Sequence, residues 1–174
     1  MDSKHKRGCT RCPLHQHRTT QVVGRGVIPA DILFICEAPG KSEDLLGKAL
    51  LGRQGKLLDR AIVQAGEFAG VIPTYYITNM IQCRPCDSKV SLTRTPSIDE
   101  IWACRDNLET VLARVHPRAV VFLGKISREH LRSTFPSAVA LQHPAFIVKR
   151  GGTESPEFRR FVKDLEEVFV SCGK

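Results

Sequence analysis

The groups in this chain whose types and spacing could do chemistry are two carboxylates, an amide, an imidazole and a scattered set of cysteines. Glu37 and Glu43 fall in Cys36-Glu37-Ala38-Pro39-Gly40-Lys41-Ser42-Glu43-Asp44, directly after the apolar run 31–35, which reads as a buried strand too short for a helix. Ala38-Pro39-Gly40 forces a turn, because proline fixes φ and glycine accepts positive φ. Two carboxylates and several backbone N–H groups are thereby displayed just past a strand's carboxyl end, where ligands bind in open α/β sheets. Asn79 closes a second strand-like run. Its amide offers donor and acceptor together and so fits the pairing edge of a nucleobase, although an asparagine there can also cap a turn. His143, in Gln142-His143-Pro144-Ala145-Phe146, follows another strand and is either a turn histidine or a third polar group delivered to the same sheet edge.

Seven cysteines, an odd number, argue against a disulfide framework and for metal, cluster or redox use. Cys9 and Cys12 form one CxxC pair, Cys83 and Cys86 another, and Cys104 stands apart. The pairs are too far apart in sequence for a compact zinc ribbon, so a site joining them is a tertiary staple. A thiolate-held iron–sulfur cluster suits that role. Zinc is the alternative, with His15 or His17 as further ligands. Cys36 and Cys172 read as small buried residues.

These groups need elements to position them. Strands are expected at 31–36, 74–81, 119–123 and 138–141. A helix over 54–66 is expected to stop at Gly66. Ser97-Ile98-Asp99-Glu100 is a capping box opening a helix that ends before Pro117, and a short helix starts near Ser127. Ser155 caps a final helix with Pro156 at its first position and Phe158, Phe161, Val162, Leu165, Val168 and Phe169 on one face. Residues 84–96 are a loop, and residues 1–30 form a basic arm carrying three of the six histidines, among them His5. Strands alternating with helices predict a single α/β domain over 1–174, with a parallel sheet covered on both faces.

The 174 residues suffice for one core, and the net charge of +8 with a pI near 9.3 favours a polyanionic partner such as nucleic acid. No apolar run is long enough to span a membrane and no secretory signal opens the chain, so cytoplasmic residence is expected. Gly24-Arg25-Gly26 is not a dinucleotide fingerprint, since it precedes the first strand and lacks the third glycine. The absence of any His-x-Glu argues against a zinc nucleobase deaminase.

Together, Cys9-x-x-Cys12, Glu37-Ala38-Pro39-Gly40, Thr78-Asn79-x-x-x-Cys83-Arg84-Pro85, Cys104 and His143-Pro144 resemble, in order, the motifs of the uracil-DNA glycosylase superfamily in its iron–sulfur (family 4) form. The resemblance runs from Cys9 to Gly151. It implies a four-stranded parallel sheet flanked by helices, and a monomer that hydrolyses the N-glycosidic bond of uracil or a related base in DNA. It implies a 4Fe–4S cluster on Cys9, Cys12, Cys83 and Cys104, with Cys86 as competitor for the fourth place and zinc as the alternative metal. Glu37, with Glu43 nearby, would position water or stabilise the oxocarbenium sugar. Ala38 would form pocket wall, Asn79 would read the base and His143 would stabilise the departing anion. Phe146 and Arg150 fall on the family's DNA-contacting loop. Two positions depart from the pattern: Cys36 replaces a glycine, and Leu50 replaces the phenylalanine that stacks on the flipped base. Losing base–aromatic stacking predicts weaker excision of uracil or preference for another base. Different base specificity, a weakly catalytic DNA-binding relative and, outside the family, a zinc-stapled nucleotide-binding protein are the alternative readings.

Overall fold

The computed structural model describes residues 8–172; His5 and the other residues of 1–7 lie outside that range. The strands are β1 (Arg25–Gly26), β2 (Ile32–Cys36), β3 (Tyr75–Asn79), β4 (Ala119–Leu123) and β5 (Val139–Leu141). The helices are α1 (Lys41–Leu46), α2 (Gly52–Ala69), α3 (Ile98–Val115), α4 (Lys125–Leu131), α5 (Pro144–Lys149) and α6 (Pro156–Cys172). The sheet has five strands in the order β1-β3-β2-β4-β5. The expected four strands are present and parallel. The expectation of a purely parallel four-stranded sheet is corrected by β1, which pairs antiparallel with β3 at the edge.

The central strand β2 is apolar and buried at every position, as a parallel strand covered on both faces requires. Ile32, Phe34 and Cys36 of β2 pack with α2, α5 and α6, while Leu33 and Ile35 face the opposite layer, where Leu108, Val111 and Val115 of α3 and Leu131 of α4 complete the core. Ser97 caps α3 as its sequence predicts, accepting the Glu100 N–H while the Glu100 carboxylate accepts the Ser97 N–H at 2.8 Å. Helix α2 does not stop at Gly66. That glycine lies inside the helix because Ile72 packs where its Cβ would be, and the helix ends at Gly70, whose φ of 71° is the left-handed cap.

The amino-terminal arm is more ordered than its polar, aperiodic sequence suggests. Buried Asp44 of α1 accepts the N–H groups of Thr19 (2.9 Å to both oxygens) and Thr20 (3.2 Å). The Gln21 side chain donates to the Gln82 carbonyl oxygen of the side-chain amide at 2.7 Å, and Val22 N–H donates to the Gln82 backbone carbonyl at 2.7 Å. Removing Asp44 leaves two backbone donors without their acceptor. Asp44→Ala is therefore expected to cost about 1–3 kcal/mol, seen as a lower melting temperature and faster proteolysis within 8–24; unchanged cleavage would show that the other contacts suffice to hold the arm.

Candidate active site and cysteine cluster

Beyond the last rung of the β2–β3 ladder, where Cys36 pairs with Asn79, the two chains stay joined: Met80 N–H donates to the Cys36 carbonyl (2.7 Å) and Ile81 N–H to that of Glu37 (3.2 Å). This places the Glu37-Ala38 turn against the segment leaving β3. A cavity of about 260 Å³ opens here, lined by Glu37, Ala38, Glu43, Leu50, Asn79 and His143, with Cys36, Gly40, Gln54, Thr93 and Arg94 completing it. A larger cavity of about 420 Å³ lies between α3 and α4 with a mainly apolar lining. The smaller one is the candidate chemical site, because there the carboxylates, the amide and the imidazole converge.

Each group is prepared differently. Asn79 is only 2% exposed, and its Nδ2 is sealed from water with no hydrogen-bond partner. A buried donor left unmade costs about 1–3 kcal/mol, which a ligand carrying an acceptor would recover. His143 caps α5, its Nδ1 accepting the Ala145 N–H at 3.1 Å. The ring proton therefore sits on Nε2. Burial lowers the His143 pKa, partly offset by Glu43, and so favours a neutral imidazole. Glu37 is half-buried, and burial raises its pKa, with nearby His130 opposing the rise.

Leu50 has a φ of +48°, a left-handed conformation costly for a bulky side chain. Its two flanking peptides are pinned. Arg25 donates to the carbonyls of Ala49 (2.9 Å) and Leu50 (3.4 Å), and the Glu43 carboxylate accepts the Leu51 N–H at 2.9 Å. Glu43 thus braces the loop that brings Leu50 to the cavity, besides lining it. Gly55 is required by the same arrangement, since a Cβ there would strike the Leu50 carbonyl. Gly24-Arg25-Gly26, with no nucleotide-binding meaning in the sequence, acquires a purpose here. Its glycines let the edge strand approach the β3 backbone and Tyr76, and its arginine holds the Leu50 loop.

Phe146 and Arg150 lie outside this cavity. Arg150 stacks on the Phe146 ring at 5.2 Å, and Phe146 borders a neighbouring cleft of about 380 Å³ with Lys125, Arg128, Gln142 and His143. His143 joins the two. Gln54, Thr93, Arg94, Lys125 and Arg128 were not legible as site residues. The one available signal was that Thr93 and Arg94 lie a few residues before the α3 capping box.

Cys9, Cys12, Cys83 and Cys104 line one small cavity with Leu14, Ile81, Glu100, Ala103 and Asn107. Cys86 is buried elsewhere, its thiol against the Arg84 carbonyl. Nitrogen donors point at the sulfurs: Arg18 to Cys83 (3.0 Å), Arg11 to Cys9 (3.3 Å), and the Gln82 N–H and Asn107 amide to Cys104 (3.4 and 3.5 Å). Burial pushes the Cys83 thiol up to about 11 and also raises Cys12, whereas at Cys9 the Arg11 hydrogen bonds overcome burial and lower it. Four thiols around one apolar hollow with N–H donors aimed at sulfur fit an iron–sulfur cluster, which is tuned by such bonds. His15 instead turns its Nδ1 to the Cys12 carbonyl at 2.7 Å, and neither it nor His17 lines the hollow. No three Cys, His, Asp or Glu residues among the described ones gather closely enough for a single metal ion.

The chain has relatives among known proteins. Residues 23–166 match the Uracil DNA glycosylase superfamily. A Type-4 uracil-DNA glycosylase of Archaeoglobus fulgidus is 29% identical over 95% of this chain and 89% of its own length. That of Thermotoga maritima is 31% identical over 95% and 90%, and that of Saccharolobus solfataricus 38% identical over 72% and 55%. A match spanning both the turn at Glu37 and the His143 cap establishes that this chain belongs to the uracil-DNA glycosylase superfamily.

Proposed function

We propose that this protein is a DNA glycosylase that hydrolyses the N-glycosidic bond of uracil in DNA, opening base-excision repair. The observation that carries the proposal is the unpartnered Asn79 amide, buried in a cavity that also holds Glu37 and a neutral His143. A flipped uracil supplies what Asn79 lacks. Its O4 accepts from Nδ2 and its N3–H donates to Oδ1, while the Leu50 side chain offers an aliphatic surface to the ring.

As the glycosidic bond breaks, negative charge develops on the base and positive charge on the sugar. The His143 Nε2–H, fixed by the cap on Nδ1, is oriented to donate to the developing oxyanion, an interaction that strengthens only as the bond breaks. Glu37 in its ionised form opposes the positive charge of the sugar and orients the attacking water. Lys125 and Arg128 border the cleft beyond His143, Arg150 stacks on its lining residue Phe146, and the three supply phosphate contacts, in keeping with the net charge of +8. The whole chain acts as one domain and as a monomer. Cys9, Cys12, Cys83 and Cys104 would hold a 4Fe–4S cluster. When bound, it ties the arm to β3 and α3 as a structural staple and supplies no redox step.

Strand cleavage with alkali, after incubation with oligonucleotides carrying uracil, hydroxymethyluracil, hypoxanthine or mismatched thymine, tests the reading. Excision of uracil is expected. His143→Ala should lower the single-turnover rate by about 10²–10³-fold with little change in DNA affinity; a variant as fast as the parent would remove the imidazole from the mechanism.

The pH profile tests Glu37 separately. Because the reaction needs the carboxylate, the rate should rise with pH through a value above the ordinary glutamate pKa of about 4.3, the direction burial imposes. Glu37→Gln should be slow and lack this limb. His143 should add no step near its usual value of about 6.5, since its neutral form persists to lower pH. A limb that survives in Glu37→Gln would have to be assigned to another group.

For the cluster, visible absorbance should be lost in Cys104→Ser and retained in Cys86→Ser. The opposite pattern would transfer the fourth ligand position to Cys86.

A further inference from the structure

Two residues at which the chain departs from the family's motifs, Cys36 and Leu50, both line the active-site cavity and both are buried. The strands fix where the Cys36 side chain points. Cys36 pairs with Asn79 in the β2–β3 register, and neighbouring strands lie about 4.8 Å apart. Ile77 packs in the same layer as Cys36, and Asn79, two residues further along β3, shares the face of Ile77. The thiol and the Asn79 amide therefore stand side by side in the cavity wall. On its other flank β2 pairs with β4, and a Cβ added at Gly124, just past β4, would lie 3.2 Å from the His143 Cβ. The order along the sheet edge is thus Asn79, Cys36, His143.

The thiol acts there as bulk. Asn79 Nδ2 finds no hydrogen-bond partner, so the neighbouring sulfur does not satisfy it. Burial pushes the Cys36 pKa up to about 12, with Arg25 opposing the rise and Glu43 adding to it, so the group is uncharged. Arg25 and Glu43 are also the residues that brace the Leu50 loop, and Leu50 belongs to the same apolar core as Cys36. A glycine at 36 would leave the space of this side chain open to the cavity.

We propose that Cys36 is a specificity-determining residue, its Sγ forming the floor on which the pairing edge of a flipped base rests, so that only a single-ring base seats. The role rests on the glycosylase reading above. A base that reaches Asn79 with O4 and N3–H, and His143 with O2, lays its pairing edge across the thiol. Its glycosidic nitrogen then points away from the floor, towards the sugar. One ring separates that edge from the nitrogen in a pyrimidine, and a fused second ring lengthens a purine. With the floor raised by a side chain, a purine that reaches Asn79 holds its sugar out of place for Glu37. A single methylene in an apolar pocket discriminates by about 10–200-fold. Hypoxanthine is the informative rival, because its O6 and N1–H offer Asn79 the same acceptor and donor as uracil. Whatever it loses at His143 is lost in every variant alike.

The test measures single-turnover excision of uracil and of hypoxanthine from one duplex sequence by the parent, Cys36→Gly and Cys36→Ala. Cys172→Ala, at a buried cysteine outside the cavity, is the comparator. The hypoxanthine-to-uracil rate ratio should rise about tenfold or more in Cys36→Gly, rise less in Cys36→Ala, and stay at the parent value in Cys172→Ala. The alanine variant carries the test if glycine in β2 unfolds the protein. A second measurement needs no bond cleavage. Affinity for duplexes carrying 2′-fluoro-deoxyuridine or 2′-fluoro-deoxyinosine, whose glycosidic bonds resist hydrolysis, should shift towards inosine in the same order. A parent that excises no uracil while the affinities shift in this way would sink the glycosylase reading and keep the floor. An unchanged ratio in the Cys36 variants, or an equal loss on both bases, would overturn the floor.

Discussion

The pairing of Cys36 with Asn79 at the ends of β2 and β3, prolonged by Met80 N–H to the Cys36 carbonyl and Ile81 N–H to that of Glu37, is the constraint on which the rest of the structure depends. In a parallel pair both strands end at the same edge, so one register delivers Glu37 and Asn79 together. A slip of either strand by one residue would turn its side chains to the opposite face and separate the pair. Just beyond the same rungs, Gln82 and Cys83 meet the amino-terminal arm and α3, so the cavity and the cysteine hollow are set by one stretch of backbone. Ala38 borders both, lining the cavity and packing against Leu14, Ile81, Cys83 and Cys104.

Burial then determines the chemistry of each group. At Asn79 it leaves a polar atom unsatisfied, a cost that a ligand with an acceptor in the right place would offset. At His143 it favours the neutral ring, and the α5 cap selects which nitrogen holds the proton. At Glu37 it raises the carboxyl pKa.

Several residues around the site act by bracing its backbone. Arg25, Glu43 and Gly55 together hold Leu50 in a conformation leucine avoids. Arg84 and Arg94 organise the loop between β3 and α3, and Asp44 gathers the arm. Strain at Leu50 persists because its neighbours over-determine it, the usual condition for strain at a functional site.

The parallel strands, α3 with its capping box, α6 with its apolar stripe, and the set of Glu37, Asn79, His143 and four of the cysteines were legible in the sequence, because local periodicity and turn chemistry depend on near neighbours. The fifth strand was not. Arg25 and Gly26 are too short to show alternation and form a strand only because β3 offers a free edge. The true end of α2 escaped for a related reason, since Gly66 looks like a stop until Ile72 is seen packed against it. Cys86 remained a competitor to Cys104 along the chain, and the folding of α3 against the arm places the Cys104 thiol in the hollow and leaves Cys86 outside. Arg25 and Arg94 gain their meaning from partners far from the catalytic motifs, or on a separate element, which linear spacing does not encode. The sequence by itself therefore determined which residue types could act and which elements carry them. Tertiary structure decided which of them meet, how deeply each is buried and which polar atom is left waiting for a partner, because those depend on contacts between segments distant in the chain.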